Sequence, residues 1–337
     1  MPSLEGIRQG AAGHRRGGPC EEIHSRGGAP VWSPGAAGGR CGRRGEAATM
    51  ARMRVGTCSW KFPSWAGLVY SASEGIDYLQ EYAKRYETVE IDQWFWSLHR
   101  PGHVSLPRER DVLAYRRAVP DAFRFTVKAP NSITLTHFYR RSKRDPLVAN
   151  PSFLDAGLME RFLERLTPLD RTLGPLLLQF EYLNRQKISG GDELRDRLAA
   201  FARDLPRTHG FAVEVRNPPY LKPDFFDFLA DAGLRPVLQQ GYWMPPIAEI
   251  YDRCREAIGR HPTVVLRLHG PDRQGIERKS GKRWDRIVEP REGELRAAVA
   301  ITEDLVARGI DVFVNINNHF EGSAPLSIER FRAMAGS

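Results

Sequence analysis

Between Arg54 and Asn317 a short β-rich run occurs eight times: "RVGTCS", "TVEID", "FRFTVK", "PLLLQF", "FAVEVR", "RPVLQ", "TVVLRLH" and "DVFVNIN". Between these runs lie longer segments with apolar residues near helical spacing, such as "DELRDRLAAFARDL" and "GELRAAVAITEDLVARG". In "ADAGLRPV" and "ARGIDVFV" a glycine closes a helical pattern and a strand pattern restarts just beyond it. Eight such units predict an α/β fold, a closed parallel (β/α)8 barrel of the TIM type. An open doubly wound sheet would carry a Gly-rich phosphate fingerprint after its first strand, and none follows "RVGTCS".

The chain has 337 residues, 41% of them hydrophobic, enough for one large core. Residues 1–52 are expected to lie outside it: their Gly, Arg and Ala runs lack the periodicity that buries a core, whereas 53–337 carry the barrel pattern. The segment reads as a targeting peptide, as an Arg/Gly arm for RNA, or as sequence upstream of a true start at Met50 or Met53. The last is favoured because the ordered pattern begins at once with "ARMRVGTCSW". No apolar stretch has the length of a membrane span and no secretory signal opens the chain, so no membrane partner and a cytoplasmic location are expected. Cys20, Cys41, Cys58 and Cys254 show no CxxC spacing and are read as free thiols. Of the net charge of +9, residues 1–50, 131–150 and 271–290 supply +3, +3 and +2. An electrostatic partner should therefore meet two basic loops, after the third and seventh strands, and the tail.

Strand parity locates a candidate site. Side chains alternate across a strand, so Glu214 and Arg216 share the face opposite Phe211, Val213 and Val215. The same split sets Glu90 and Asp92 against Val89 and Ile91, Lys128 against Val127, Gln179 against Leu178, Arg267 and His269 against Leu268, and Asn315 and Asn317 against Ile316. The polar members fall late in each run, where a barrel brings them to its C-terminal mouth. A buried ion-pair network would use the same residues, but such pairs stabilise less well than apolar packing, which favours a pocket.

These segments also carry a resemblance. "VGTCSWKFPSWAGLVY", "VEIDQWFW", "FRFTVKAPNSITLTH", "GPLLLQF", "AVEVRNPPY", "LRLHG" and "NINNHFEGSAP" occur in the order and spacing of the YecE-like family, domain of unknown function seventy-two (DUF72), over about residues 54–335. The resemblance implies a TIM barrel and carries no catalytic assignment. It singles out Trp60, Trp65, Glu90, Lys128, Glu214, Arg216, Arg267, His269, Gly270, Asn317 and Asn318. Asp92, Gln93, Trp94 and Trp96, and the "FEY" after Gln179, depart from the family pattern, which implies a different ligand specificity.

Several chemistries stay open. Glu90, Asp92, Glu214 and His269 offer ligands suited to a divalent metal, yet Lys128, Arg216 and Arg267 at the same level would repel one, so no metal or other cofactor is assigned. Lys128 among arginines should have a lowered pKa and serve as base or Schiff-base nucleophile, with Glu214 or Glu90 as shuttle; the plainer alternative pairs it with a glutamate. Arg216 and Arg267 would clamp a small anionic, phosphorylated ligand, Asn317, Asn318 and Gln179 would orient it, and His269 would add acid/base capacity. His137, in a loop expected to overhang the mouth, is a candidate lid residue, whereas His99, His103, His209 and His261 read as structural. Trp60, Trp65, Trp94 and Trp96 would stack on a ring or else plug the barrel. Two classes follow: a hydrolase, lyase or isomerase, or a nucleotide or nucleic-acid binder using Arg140, Arg141, Lys143, Arg144, Arg278, Lys279, Lys282 and Arg283 without turnover. The helix faces single out no oligomer surface.

Overall fold

The structure, a computed structural model, describes residues 51–140, 142 and 144–336. Residues 1–50 of the expected tail, with Cys20 and Cys41, and the loop residues Arg141 and Lys143 lie outside the described residues.

Eight parallel strands close into the expected barrel: β1 (Met53–Cys58), β2 (Thr88–Ile91), β3 (Arg124–Lys128), β4 (Leu173–Gln179), β5 (Phe211–Glu214), β6 (Arg235–Gln240), β7 (Thr263–Leu268) and β8 (Asp311–Ile316). The ring closes where β1 pairs with β8, Met53 opposite Val312 and Thr57 opposite Ile316. Arg52, placed in the tail by sequence, joins this seam, its amide donating to Asp311 and its carbonyl accepting from the Val312 amide.

Helices Tyr78–Ala83, Glu109–Ala118, Ala156–Leu166, Gly191–Asp204, Pro223–Asp231, Ile247–Ile258, Glu292–Ala307 and Ala324–Met334 lie between or after the strands. Their starts follow from local chemistry: Asp77 and Asp155 accept from first-turn amides that have no intrahelical partner. Gly233 (φ 72°) and Gly309 (φ 82°) take the left-handed conformation that ends a helix before β6 and before β8. A small hairpin of Leu98–Arg100 and His103–Val104 follows β2, and a helix Arg273–Ser280, which brings Arg273 to the mouth, follows β7. Among the described residues no helix is long and apolar enough to cross a membrane, and Cys58 and Cys254 are free, buried thiols.

The core has two parts. The outward strand residues, including Val89, Val127, Leu178 and Leu268, pack with the helices in one large cluster. Leu177, Ala212, Val237, Val265 and Phe313 form a second cluster inside the barrel. One layer above it the inward positions become Glu90, Thr126, Gln179, Glu214, Gln239, Arg267 and Asn315, and strand register fixes their height: Glu90 is opposite Thr126, Gln179 opposite Glu214, and Arg267 opposite Asn315.

Candidate active site at the barrel mouth

Arg267 is the hub of this polar layer. Its Nε and Nη2 donate to Oε2 and Oε1 of Glu90 at 2.8 and 2.7 Å, and its Nη1 donates to Glu214 Oε2 and, at 3.1 Å, to Gln179 Oε1. The second oxygen of Glu214 accepts from Arg216 Nε at 3.1 Å, and Glu90 Oε2 also accepts from Asn315 Nδ2 at 3.1 Å. Burial alone would raise the Glu214 pKa, but Arg267, Arg216 and Lys128 together hold it below the usual glutamate value. Burial likewise opposes the charge of Arg267, and Glu214 and Glu90 outweigh it, keeping the guanidinium firmly protonated. Both glutamates are struts whose oxygens already have donors. The proton-shuttle role expected of them, and the metal set built on them, therefore meet lone pairs already committed to arginine; among the described residues no three His, Cys, Asp or Glu are grouped to hold a metal ion.

Above this floor opens a cavity of about 420 Å³. Lys128, at the end of β3, lines it with Nζ 3.8 Å from the centre of the Phe95 ring. It forms no hydrogen bond or ion pair with the described residues, because Arg267 and Arg216 have taken the glutamates. The glutamate pairing that sequence offered as its alternative is not formed. Burial, with Arg267 next, brings the Lys128 pKa down to about 8. His269, just past β7, is buried with Nδ1 3.4 Å from the Tyr242 hydroxyl, and its Nε2 has no partner. Burial and the cations Arg267, Arg216 and Lys128 push its pKa well below the usual value, so the imidazole is neutral. Asp92 also lines the cavity, makes no ion pair and has its pKa raised by burial and then by Glu90. Parity placed Asp92 in the strand, but β2 stops at Ile91 and Asp92 begins the one-turn helix Gln93–Phe95.

β5 likewise ends at Glu214, so Arg216 stands on the loop rather than in the strand, its side chain 29% exposed and 5.3 Å from the Tyr242 ring centre. Arg273 opens the helix after β7 and gives Nε to Glu277, which also accepts from His319 Nε2 if that nitrogen carries the proton. Beyond Nε, neither Arg216 nor Arg273 donates another hydrogen bond among the described residues. Backbone glycines let these loops converge: a Cβ on Gly241 (φ 104°) would fall 1.9 Å from the His269 carbonyl oxygen, and one on Gly270 2.1 Å from that of His319.

The mouth gathers Glu90, Asp92, Lys128, Gln179, Arg216, Arg267, His269 and Asn317, with Glu214 directly beneath. It does not gather Trp60, Trp65, Asn318 or His137. Trp65 is fully buried in the outer core, and Trp60 packs edge-on against Tyr115 in the same cluster. Asn318 is buried with Oδ1 accepting from the Ala324 amide at the start of the last helix, and His137 is occupied by Thr136. Sequence reading missed Cys58, Phe95, Tyr139, Tyr242, Arg273 and His319, while Glu181 belongs to the "FEY" departure it had flagged. Cys58 shares the inward parity of Arg54 and Gly56, and Tyr242 follows β6 as Arg216 follows β5, so both were within reach of the same argument. Cys58 is no nucleophile, since burial and Glu90 hold it as a thiol.

The exposed large apolar side chains among the described residues are Trp96, Tyr139, Val148, Tyr182 and Trp243, and all follow barrel strands at this end. Trp96 and Tyr139 have ring centres 6.3 Å apart. The basic loop after β7 is partly neutralised in place, Lys279 bonding Glu289 at 2.7 Å and Arg283 bonding Asp285 at 2.6 Å, whereas Arg278 and Lys282 make no ion pair with the described residues.

The chain is 22% identical to a DUF72 family protein of Thermotoga maritima, covering 85% of this chain and 99% of that one with a TM-score of 0.57. A DUF72 family protein of Enterococcus faecalis gives 20% identity, 85% and 96% coverage and a TM-score of 0.59. At these identities the likeness establishes the fold. The UPF0759 protein YecE of Escherichia coli K12 is 28% identical over 166 residues, 49% of this chain and 49% of that protein, so the match spans about half the length of this curated relative. The sequence model of the "protein of unknown function DUF72" family matches residues 54–337, the whole barrel from its first strand onward, and the chain belongs to that family.

Proposed function

We propose that the mouth is the active site of a hydrolase, lyase or isomerase acting on a small anionic, phosphorylated substrate. One observation carries this reading: in a layer where the carboxylates are saturated, the Lys128 amine and His269 Nε2 are left without partners beside a cavity of metabolite size. Paired charges explain a structural network; they do not explain a buried lysine that makes no ion pair among the described residues. Arg216 and Arg273 have donors to spare for an anion, and Lys128, His269 and Asp92 supply the proton chemistry, with Arg267, Glu90 and Glu214 as the rigid floor. Calorimetric titration with inorganic phosphate and with triose and pentose phosphates tests it. Saturable binding that weakens at least tenfold in an Arg216→Ala/Arg273→Ala double variant is expected, and unchanged binding in that variant refutes the anion assignment.

The exposed aromatic rim favours a second reading, a nucleotide or nucleic-acid binder without turnover, in which Trp96 and Tyr139 stack on a base and Arg144, Arg278 and Lys282 meet phosphates. This reading requires oligonucleotide binding whose salt dependence flattens in Arg144→Glu/Lys282→Glu. Oligonucleotide affinity that ignores those changes removes it.

A further inference from the structure

We propose that Lys128 is a covalent catalyst: its amine condenses with the carbonyl carbon of a small oxo-anion seated between Arg216 and Arg273, giving an imine. The inference rests on the anion-site reading above and names the substrate class, a carbonyl compound carrying a carboxylate or phosphate.

Lys128 is the buried lysine among the described residues. Three other lysines meet carboxylates, Lys84 with Glu81, Lys187 with Glu181 and Lys279 with Glu289. At Lys128 the nearby Glu90 and Glu214 are taken by arginines, and the contact that does exist is the face of Phe95, a partner that neither accepts a proton nor blocks the nitrogen lone pair. A general base and a nucleophilic amine must both be neutral; a nitrogen with no hydrogen-bond partner and open to the cavity suits attack on a carbonyl carbon. Burial and Arg267 bring its pKa to about 8, which supports that geometry.

The neighbours complete the step. The Lys128 nitrogen pair forms the C–N bond while the carbonyl π pair moves to oxygen, and neutral His269 carries one amine proton to that oxygen, giving a carbinolamine. The nitrogen then gives its second proton to His269, and His269 passes it to the hydroxyl, which leaves as water. The products are an imine and one water, with no change of oxidation state and no further reactant. The imine then accepts the electron pair of a neighbouring C–H or C–C bond, which fits a lyase or isomerase better than a hydrolase.

The test uses the unmodified protein. It is incubated separately with dihydroxyacetone phosphate, pyruvate and pyridoxal 5′-phosphate, treated with borohydride to reduce any C=N bond to a stable secondary amine, and mapped by peptide mass spectrometry. Inorganic phosphate is titrated calorimetrically in parallel. The expected result is one equivalent of adduct at Lys128, suppressed by phosphate and rising with pH through a midpoint near 8, with Lys84 and Lys187 unlabelled. Phosphate binding without a Lys128 adduct from any probe overturns the imine and leaves the anion site standing. Neither binding nor adduct overturns both, and equal labelling of exposed lysines overturns the selectivity on which the proposal depends. A Lys128→Met variant, checked for folding by circular dichroism, must lose the adduct while still binding phosphate.

Discussion

Lys128→Met is expected to make the protein more stable and to remove the amine chemistry at the mouth. At pH 7 the amine is protonated in both folded and unfolded chains, so the fall of its pKa from 10.5 to about 8 measures what holding the charge costs the fold. At ~1.4 kcal/mol per unit this is about 3 kcal/mol. Methionine escapes that cost but gives up the contact over Phe95, worth about 1–2 kcal/mol when desolvated. The net gain should be about 1–2 kcal/mol, a rise of roughly 2–5 °C in melting temperature for a chain of this size. The pH dependence supplies an independent check. As pH rises through 8 the folded lysine sheds its proton while the unfolded one keeps it to 10.5, so wild-type stability climbs across that window and the advantage of methionine shrinks. Urea unfolding of both proteins at pH 7, 8.5 and 10 measures this. A variant destabilised by about 1 kcal/mol or more at pH 7, or a gap that does not narrow, would refute the argument and make Lys128 a structural partner of the glutamates.

Arg267→Met should cost about 3–5 kcal/mol or prevent folding, since it strands Glu90 and Glu214 in the barrel; a variant within ~1 kcal/mol of wild type by urea unfolding would show the network to be dispensable. Gly241→Ala should lose at least about 1–3 kcal/mol, because φ is 104° and the new Cβ meets the His269 carbonyl; an unchanged melting temperature would contradict it. The unfolded His269 takes up a proton as pH falls through 6.5 and the folded one, buried beside Arg267, does not, so stability is lost below pH 6.5. His269→Asn should remove part of that acid slope, as read from urea midpoints at pH 5 and pH 7.

The barrel was legible because its strands are buried on both faces, so Val, Ile and Leu recur at outward positions while polar side chains mark the late inward ones. Parity alone set Glu90, Lys128, Glu214 and Arg267 at one level, but it is silent about who bonds whom. That Arg267 takes both glutamates and leaves Lys128 without one depends on side-chain reach across the barrel, which no local pattern encodes. Loop residues were harder. Arg273 and His319 come from helical or turn segments whose direction is set by packing, and Trp60 and Trp65 sit in a motif that serves the core. The resemblance marked them as members of one motif and could not say whether they face ligand or protein.

The apolar cluster of Leu177, Ala212, Val237, Val265 and Phe313 lies inside the barrel directly under the Arg267 layer. It makes the cavity a cul-de-sac. With the barrel axis filled from below, Lys128 and His269 are reached from the mouth side, so on the proposed reading whatever binds there leaves by the side it entered.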